Sequence, residues 1–201
     1  MKNSDNYIGY HLFSNILKFI GHVLFWDKVY GKENIPKNGA CILAGNHTSI
    51  FDAYLLFRGT NRPIHFIAKK ELFKGPFAWF FKMMHLIPVD RENKNVEAKE
   101  LTLKLLKDNK VIGIFPEGTF HDKNSKIKKE IILPFKPGAI SFAEKSGAPI
   151  IPFAIVGKIK LFSHPKIVFG KPINTDKIKG DKVKYLENII KEMIQKNRTS
   201  K

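Results

Sequence analysis

The sequence ACILAGNHTSIFD, residues 40–52, decides the fold. It begins as a continuous apolar run, which is typical of a strand buried on both faces of a sheet. A glycine and an asparagine end that run, and the pattern predicts a helix that begins near Ser49. His47 and Asp52 therefore lie together at the end of a buried strand, which indicates a general base and its orienting carboxylate. The alternative is structural, because Ser49 and Asp52 also have the spacing of a helix capping box.

Apolar strand-like runs alternate with helix-like periods along the rest of the chain. This alternation predicts an α/β fold with a largely parallel central sheet flanked by helices. We see no internal repeat and no linker, so we expect one domain over residues 1–201. Within it, a catalytic α/β core (29–201) follows an N-terminal helical segment (1–28). The predicted helices span residues 7–26, 49–57, 96–107, 137–147 and 185–194, and a further helix is expected within the apolar stretch 72–87.

Residues 7–26 predict a helix that is apolar around most of its circumference. The polar residues recur every three or four positions and form one narrow stripe: His11, Ser14, Asn15, Lys18 and His22. Such a helix either packs on its own domain or lies in a membrane interface. The flanking Tyr7 and Trp26 favour the interface. Because polar residues interrupt the segment and no cleavage site follows it, we expect neither a transmembrane span nor a secretory signal.

The charge and the single cysteine narrow the class of partner and the compartment. The 201 residues carry a formal net charge of +17, which favours nucleic acid, anionic lipid or an acidic carrier protein, unless it is only a solvated lysine surface. The lysines are dispersed and no nucleic-acid-binding motif is present, so we expect no nucleic-acid partner. Cys41 lies within the apolar run and is expected to be a small buried side chain, in a reducing cytoplasm.

Two further loops carry groups that fit chemistry at the same edge of the sheet. The turn Pro116-Glu117-Gly118-Thr119 follows one predicted strand, and Arg91 follows a shorter one. Ligands of such sheets bind beyond the carboxyl ends of the strands, so a base, a carboxylate and a cation are expected to meet there. No Gly-x-Ser-x-Gly elbow is present, which argues against a serine hydrolase. The remaining histidines have no metal-ligand spacing, and we expect neither a metal nor a cofactor.

These motifs resemble those of the glycerolipid acyltransferases, and most nearly the bacterial 1-acylglycerol-3-phosphate acyltransferases. Asn46-His47 with Asp52 looks like their NHxxxxD motif. The other motifs follow in the family's order between about residues 30 and 175: IPVDR at 87–91, FPEGT at 115–119 and PIIP at 149–152. KKEL at 69–72 and FKPGA at 135–139 also look like signatures of the family.

The resemblance implies a reaction and roles for the residues. An acyl chain would pass from a thioester, on acyl carrier protein or coenzyme A, to the free hydroxyl of 1-acylglycerol-3-phosphate, giving phosphatidate. His47 would be the general base and Asp52 its orienting partner. Arg91 would bind the phosphate of this lysophospholipid acceptor, with Lys69 or Lys70 assisting. The enzyme would work at an anionic membrane surface, peripheral or monotopic on the cytoplasmic face of the cell membrane.

The third motif contributes further contacts under this resemblance. Glu117 is expected to orient Arg91 or to accept a hydrogen bond from a glycerol hydroxyl. The backbone N–H groups of Gly118 and Thr119 are expected to bind an anion or an oxyanion. Phe120 stands where the family commonly has a basic residue, and His85 stands where it often has glycine. These departures leave one alternative, a different lysophospholipid or hydroxyl acceptor. The N-terminal helix and the charge leave another, a non-catalytic basic membrane-binding protein.

Residues 72–87 are the most apolar stretch after the N-terminus. Pro76 is expected to begin a helix in its first turn. Phe77, Trp79 and Phe80 leave that helix little polar face, so we expect it to line an acyl-chain slot or to meet the membrane. A buried core helix is the alternative. His85, at the end of the stretch, is expected to be a core or rim histidine.

Overall fold

A computed structural model describes residues 7–90, 95–119, 132–157 and 159–198. In this part of the chain the strands are β1 (Lys28–Tyr30), β2 (Cys41–Gly45), β3 (Ile64–Lys69), β4 (Ile87–Val89), β5 (Val111–Ile114), β6 (Ile150–Val156) and β7 (Lys166–Phe169). The α-helices are α1 (Ile8–Phe25), α2 (Asp52–Gly59), α3 (Ala78–Met83), α4 (Val96–Lys107), α5 (Gly138–Ser146) and α6 (Lys182–Arg198). The predicted α/β fold is confirmed.

The strands of the described residues form one sheet in the order β1-β7-β6-β2-β5-β3-β4. The five strands from β6 to β4 are parallel to one another, whereas β7 runs antiparallel to β6. The link from β6 to β7 is too short for a crossover helix, so the chain returns beside the strand that it has just left. β1 pairs in parallel with β7 and completes that edge.

Both faces of the sheet are covered, as its continuous apolar strands require. Along β2, Cys41 and Leu43 point to the core under α1 and α2, and Ile42 and Ala44 point to the core under α4, α5 and α6. Cys41 has no exposed surface, and burial raises the pKa of its thiol to about 11. The expected inert, buried cysteine is confirmed, because the thiolate is the nucleophilic form.

Helix α1 packs against α2 and the core through Tyr10, Phe13 and Leu17 together with small residues, and it turns other apolar side chains outward. Ser14 and Gly21 are buried, and Gly21 lies so close to the Tyr54 ring that a side chain there would clash. Lys18 donates to Thr60 O at 3.3 Å and to Asn61 Oδ1 at 2.8 Å. The outward apolar residues form one stripe: Ile8, Leu12, Ile16, Phe19, Ile20 and Val23. The predicted polar stripe therefore partly faces the protein. No helix of the described residues is long and apolar enough to cross a membrane.

The aromatic stretch 72–87 contains the helix that was expected to begin at Pro76, and this helix begins two residues later than predicted. A 3-10 turn spans Lys70–Phe73, and α3 begins only at Ala78. Gly75 before Pro76 explains the break, because the residue that precedes a proline is disfavoured in the helical conformation. The helix ends at Met83, and His85 adopts a φ of +52° that turns the chain into β4.

Candidate active site

The loops singled out by the sequence meet at the carboxyl edge of the sheet. His47 lies two residues beyond the end of β2, and Phe115 to Thr119 follow β5 directly. Lys69 is the last residue of β3. Because β5 pairs with both β2 and β3, the loops that follow these three strands lie next to one another.

His47 and Asp52 form a hydrogen-bonded pair. His47 Nδ1 donates to Asp52 Oδ2 at 2.8 Å, and the Asp52 side chain is fully buried. The same carboxylate accepts from Thr48 N at 2.5 Å, from Thr48 Oγ1 at 2.9 Å and from Ser49 N at 2.9 Å. Since a carboxylate only accepts, Nδ1 carries the proton and the basic lone pair lies on Nε2. This arrangement prepares Nε2 to take a proton.

A turn before α2 makes the pair possible. The helix begins at Asp52, later than the predicted start near Ser49, because residues 49–52 form a turn closed by Asp52 N donating to Ser49 O at 3.0 Å. Ser49 Oγ accepts from Phe51 N, at 3.3 Å. The carboxylate reaches back to the Ser49 N–H, as the acidic residue of a capping box does. The reciprocal contact of a capping box is absent, because Asp52 N bonds to Ser49 O and Phe51, which precedes the helix, has no side-chain cap. The carboxylate half of the box and the histidine contact therefore share Asp52.

Glu117 joins the histidine loop to another part of the chain. It is buried, and its Oε1 accepts from His47 N at 2.7 Å while its Oε2 accepts from Leu133 N at 2.8 Å. Contacts of Glu117 to substrate or to Arg91 were expected, but Arg91 lies outside the described residues. The backbone contacts of Glu117 indicate that it positions the loop of His47.

In the turn of residues 116–119, one of the two N–H groups that were expected to bind an anion already has a partner within the turn. Gly118 has a φ of +73°, and its N–H donates to Phe115 O at 3.0 Å, so this N–H closes the turn and does not point to a ligand. Thr119 lines the cavity beside His47. A side chain on Gly118 would lie 2.9 Å from Lys136 Nζ, which places that ammonium over the turn. Phe120, like Arg91, lies outside the described residues.

Sequence reasoning missed two residues that hold His47 in place. The buried Asn46 side chain donates to Ile155 O at 2.9 Å and accepts from Ile155 N at 2.7 Å, which ties the loop to β6. The Phe115 ring stacks on the imidazole with 4.0 Å between ring centres. Both residues belong to the quoted motifs. Their contacts could not be predicted from the sequence, because the pairing of strands brings Asn46 to Ile155 and Phe115 to His47.

An apolar cavity of about 640 Å³ opens at the dyad. His47, Lys69 and Thr119 are polar residues of its lining, and the remainder is mostly apolar. The apolar lining includes Phe57, Phe66, Leu72, Phe77, Phe80, Phe81 and Met84. Of the aromatic residues predicted to line an acyl-chain slot, Phe77 and Phe80 do line the cavity. Trp79 is absent from its lining and is 65% exposed.

Two residues predicted near the site lie apart from this cavity. Lys70 lines a separate polar recess of about 310 Å³ together with Asp90 and Asn95. His85 packs against Tyr7, with 4.6 Å between ring centres, and its carbonyl accepts from His65 Nδ1 at 3.0 Å. His85 thus has the packing role expected of a rim histidine. Across the described ranges, no three histidine, cysteine or acidic side chains are grouped to hold a metal ion.

Comparison with known proteins gives one consistent family. The Acyltransferase family model matches residues 28–156. The 1-acyl-sn-glycerol-3-phosphate acyltransferase of Bacillus subtilis is 34% identical over 172 residues, which cover 82% of this chain and 82% of that protein. The Borreliella burgdorferi protein of the same name is 32% identical over 149 residues, covering 73% of this chain and 57% of that one.

A solved structure has the same fold. The crystal structure of the 1-acyl-sn-glycerophosphate (LPA) acyltransferase PlsC from Thermotoga maritima superposes with a TM-score of 0.76, at 22% identity, over 100% of this chain and 85% of that chain. The family model matches more than half of this chain, and the Bacillus relative is similar over most of both proteins. The chain therefore belongs to the acyltransferase family of enzymes.

Proposed function

We propose that this acyltransferase moves a fatty acyl chain from a thioester to the free hydroxyl of 1-acylglycerol-3-phosphate and so forms phosphatidate. The observation that carries the proposal is the His47–Asp52 pair at the polar end of a large apolar cavity. The names of the relatives support the choice of acceptor. Membership of an enzyme family argues against a non-catalytic membrane-binding protein.

The dyad supplies the base for this reaction. Nε2 of His47 removes the proton of the acceptor hydroxyl as its oxygen attacks the thioester carbonyl. Asp52 holds the ring and stabilises the imidazolium that forms. When the tetrahedral intermediate collapses, the thiolate leaves and takes the proton from Nε2, so the products are an ester and a thiol. The acceptor hydroxyl is itself the nucleophile, and no acyl-enzyme is required.

Cations around the cavity mouth fit the phosphate of the acceptor. Lys69 lines the cavity with His47, and Lys136 lies over the turn that ends at Thr119. Arg91 completes this set in our proposal, with Lys70 at the neighbouring recess. The Thr119 N–H and hydroxyl are the proposed donors to the oxyanion, in place of the Gly118 N–H that closes the turn.

The cavity is the proposed acyl-chain site, and α1 is the proposed membrane contact. Apolar side chains of α2 and α3 form much of the cavity wall, which suits a hydrocarbon chain. The outward stripe of α1 suits the interface of a bilayer, and the formal charge of +17 suits anionic lipid and an acidic or phosphorylated donor. We propose that residues 1–28 and 29–201 work as one domain, peripheral or monotopic on the cytoplasmic face.

The test is an acyl-transfer assay on mixed phospholipid vesicles with a panel of lysophospholipid acceptors. Each acceptor is offered with acyl carrier protein thioester and, separately, with the coenzyme A thioester. We expect phosphatidate from 1-acylglycerol-3-phosphate to form fastest. Faster transfer to an acceptor without a phosphate monoester would contradict the acceptor assignment and leave the acyltransferase assignment standing.

A further inference from the structure

The turn of residues 160–163, between β6 and β7, exposes two large apolar side chains. Leu161 is 59% exposed and Phe162 is 64% exposed, at the two central positions of the turn. Phe162 has a φ of +56°, in the left-handed region that turns usually fill with glycine or asparagine. A bulky apolar residue held in that conformation and directed into solvent points to a function outside the fold itself.

The turn is built so that its tip is fixed. Ser163 N donates to Lys160 O at 3.0 Å, and Lys160 N donates to Ser163 Oγ at 2.9 Å. Phe162 N donates to Leu24 O at 2.8 Å, which fastens the tip to the end of α1. The tip therefore has a defined position relative to that helix.

The exposed tip continues the apolar stripe of α1. Trp26 follows Val23 by three residues, so it extends the stripe, and it is 55% exposed in a left-handed conformation of its own. Its ring contacts Phe162, with 6.4 Å between ring centres. Lys28 and Lys160 are exposed beside the patch, which suits anionic headgroups. Tryptophan next to lysine is also the composition found at membrane interfaces.

The same turn is close to the catalytic edge. It follows β6, whose Ile155 holds the side chain of Asn46, the neighbour of His47. On the other side of α1, the Phe25 ring contacts Phe51, which is exposed in the loop of the dyad. Apolar surface therefore extends from α1 towards the dyad on two sides.

We propose that the tip formed by Leu161, Phe162 and Trp26 is a second membrane-contact element, which adjoins the end of the α1 stripe and is held by a turn outside that helix. It inserts into the boundary between headgroups and acyl chains of an anionic bilayer and sets the angle at which the catalytic edge faces the lipid. The inference rests on the membrane contact in the proposed function and adds a fixed point beyond the helix.

The test is vesicle binding of the full chain with Leu161→Ser and Phe162→Ser together. Mixed phosphatidylcholine–phosphatidylglycerol vesicles are the probe, and partition is measured by flotation. Because both side chains are exposed, the variant should fold normally, which its thermal unfolding midpoint checks. We expect partition to fall about tenfold. The matched control is Val96→Ser with Leu101→Ser, an exposed apolar pair on α4, which should bind as the wild type does.

A depth measurement tests the same contact directly. In a Trp79→Phe background, Trp26 is the one remaining tryptophan. We expect bilayer lipids brominated on the acyl chain to quench Trp26, and to quench it less in the Leu161→Ser/Phe162→Ser variant. Unquenched Trp26 in vesicle-bound protein, equal partition of variant and wild type, or loss of a dimer as the sole effect of the variant would each overturn the inference. A wild-type chain that does not bind vesicles would instead contradict the membrane contact in the proposed function.

Discussion

The Asp52 carboxylate accepts four hydrogen bonds, and this explains how a short loop can hold His47 in one orientation. Three of the donors come from Thr48 and Ser49, which lie between His47 and Asp52 in the chain. These hydrogen bonds hold the carboxylate in place, and its Oδ2 atom is the one that the imidazole contacts. Phe115 covers one face of the imidazole ring by stacking on it. The histidine is thus positioned before any substrate binds.

Replacing Asp52 by Asn tests this orientation. The Asn amide would present an N–H group where Nδ1 needs an acceptor, so the histidine would lose the tautomer that leaves Nε2 basic. We expect kcat to fall by about 10²–10⁴. The control, Asp108→Asn on the surface beside Lys104, should leave kcat unchanged. Because the pair acts as a unit, His47→Ala combined with Asp52→Asn should be no slower than the slower single variant. Additive losses would contradict the pair.

Glu117 offers a prediction about stability. Glu117→Gln leaves one oxygen, so either His47 N or Leu133 N faces an amide donor in a buried place. We expect the free energy of unfolding in urea to fall by about 1–3 kcal/mol, with a lower kcat because the loop of His47 loosens. The control is Glu144→Gln, an exposed partner of Lys182, which should change stability by less than about 0.5 kcal/mol. A Glu117→Gln variant as stable and active as the wild type would refute the positioning role.

At this scale the sequence predicted residue types better than contacts. His47 and Asp52 were identified from spacing, and their hydrogen bond is present. The contact of Glu117 with Leu133 was not foreseen, because the two residues are 16 positions apart and no local pattern reports such a pair. Gly118 was expected to donate to an anion, but the positive φ that requires a glycine also directs its N–H into the turn.

At the scale of elements, Asp27 connects α1 to the helix that begins with Asp52. Its buried carboxylate accepts from Tyr54 OH and, at 3.0 Å, from Arg58 Nε, both on α2. His22, near the end of α1, contacts the same carboxylate at 3.3 Å. Burial acts to raise the pKa of Asp27, but the hydrogen bonds from Tyr54 and Arg58 outweigh it and hold that pKa below its usual value. Asp27 therefore joins the end of α1 to α2.

The lowered pKa of Asp27 predicts a dependence of stability on pH. Because the folded chain binds this proton less tightly than the unfolded chain, the stabilisation is complete above the ordinary carboxyl pKa and is lost as the pH falls through the lowered one. At neutral pH, Asp27→Asn should reduce the free energy of unfolding by about 3 kcal/mol, the low end for buried pairs, because Arg58 stays partly exposed. Urea unfolding over a pH series should show this difference shrinking in acid. A constant difference would contradict the account.

The order and type of most elements follow from the sequence, whereas their breaks and directions follow less directly. The alternation of apolar runs and helical periods predicted the sheet and its flanking helices. It predicted a helix that begins at Pro76, but it did not show that α3 covers only Ala78–Met83, because the aromatic residues there leave no clear helical period. The antiparallel direction of β7 follows from the shortness of the link between β6 and β7. The apolar pattern of a strand does not report the direction in which the strand runs.

At the scale of the whole molecule, the cavity joins α2, α3 and the sheet into one site for an apolar chain. Phe57 is a buried part of its wall. Phe57→Leu should enlarge the cavity and shift the preference among donors towards longer acyl chains. It should also cost roughly 0.5–3 kcal/mol of stability. Competition between donors of different chain length measures the shift. The control is Phe169→Leu, which loosens the core outside the cavity and should lower stability without changing chain preference.

The site forms only when strands that are distant in the sequence pair in the sheet. The motifs after β2 and β5 were expected at one edge, and the register of the sheet places them there. The two alternatives for residues 7–26, packing or membrane contact, describe opposite sides of one helix. Composition did not separate them, because only the packed structure shows which apolar residues of the helix face the core and which form the outward stripe.

The central claim is that His47 is the base for acyl transfer at a membrane surface. The most direct measurement is acyl transfer by His47→Ala to 1-acylglycerol-3-phosphate on vesicles, with the vesicle-bound fraction of the same sample measured by flotation. We predict that transfer falls by at least about 10²-fold while the bound fraction equals that of the wild type, because the imidazole is not part of the membrane contact. Transfer within a few fold of the wild type, by protein that is bound to the same extent, would contradict the account.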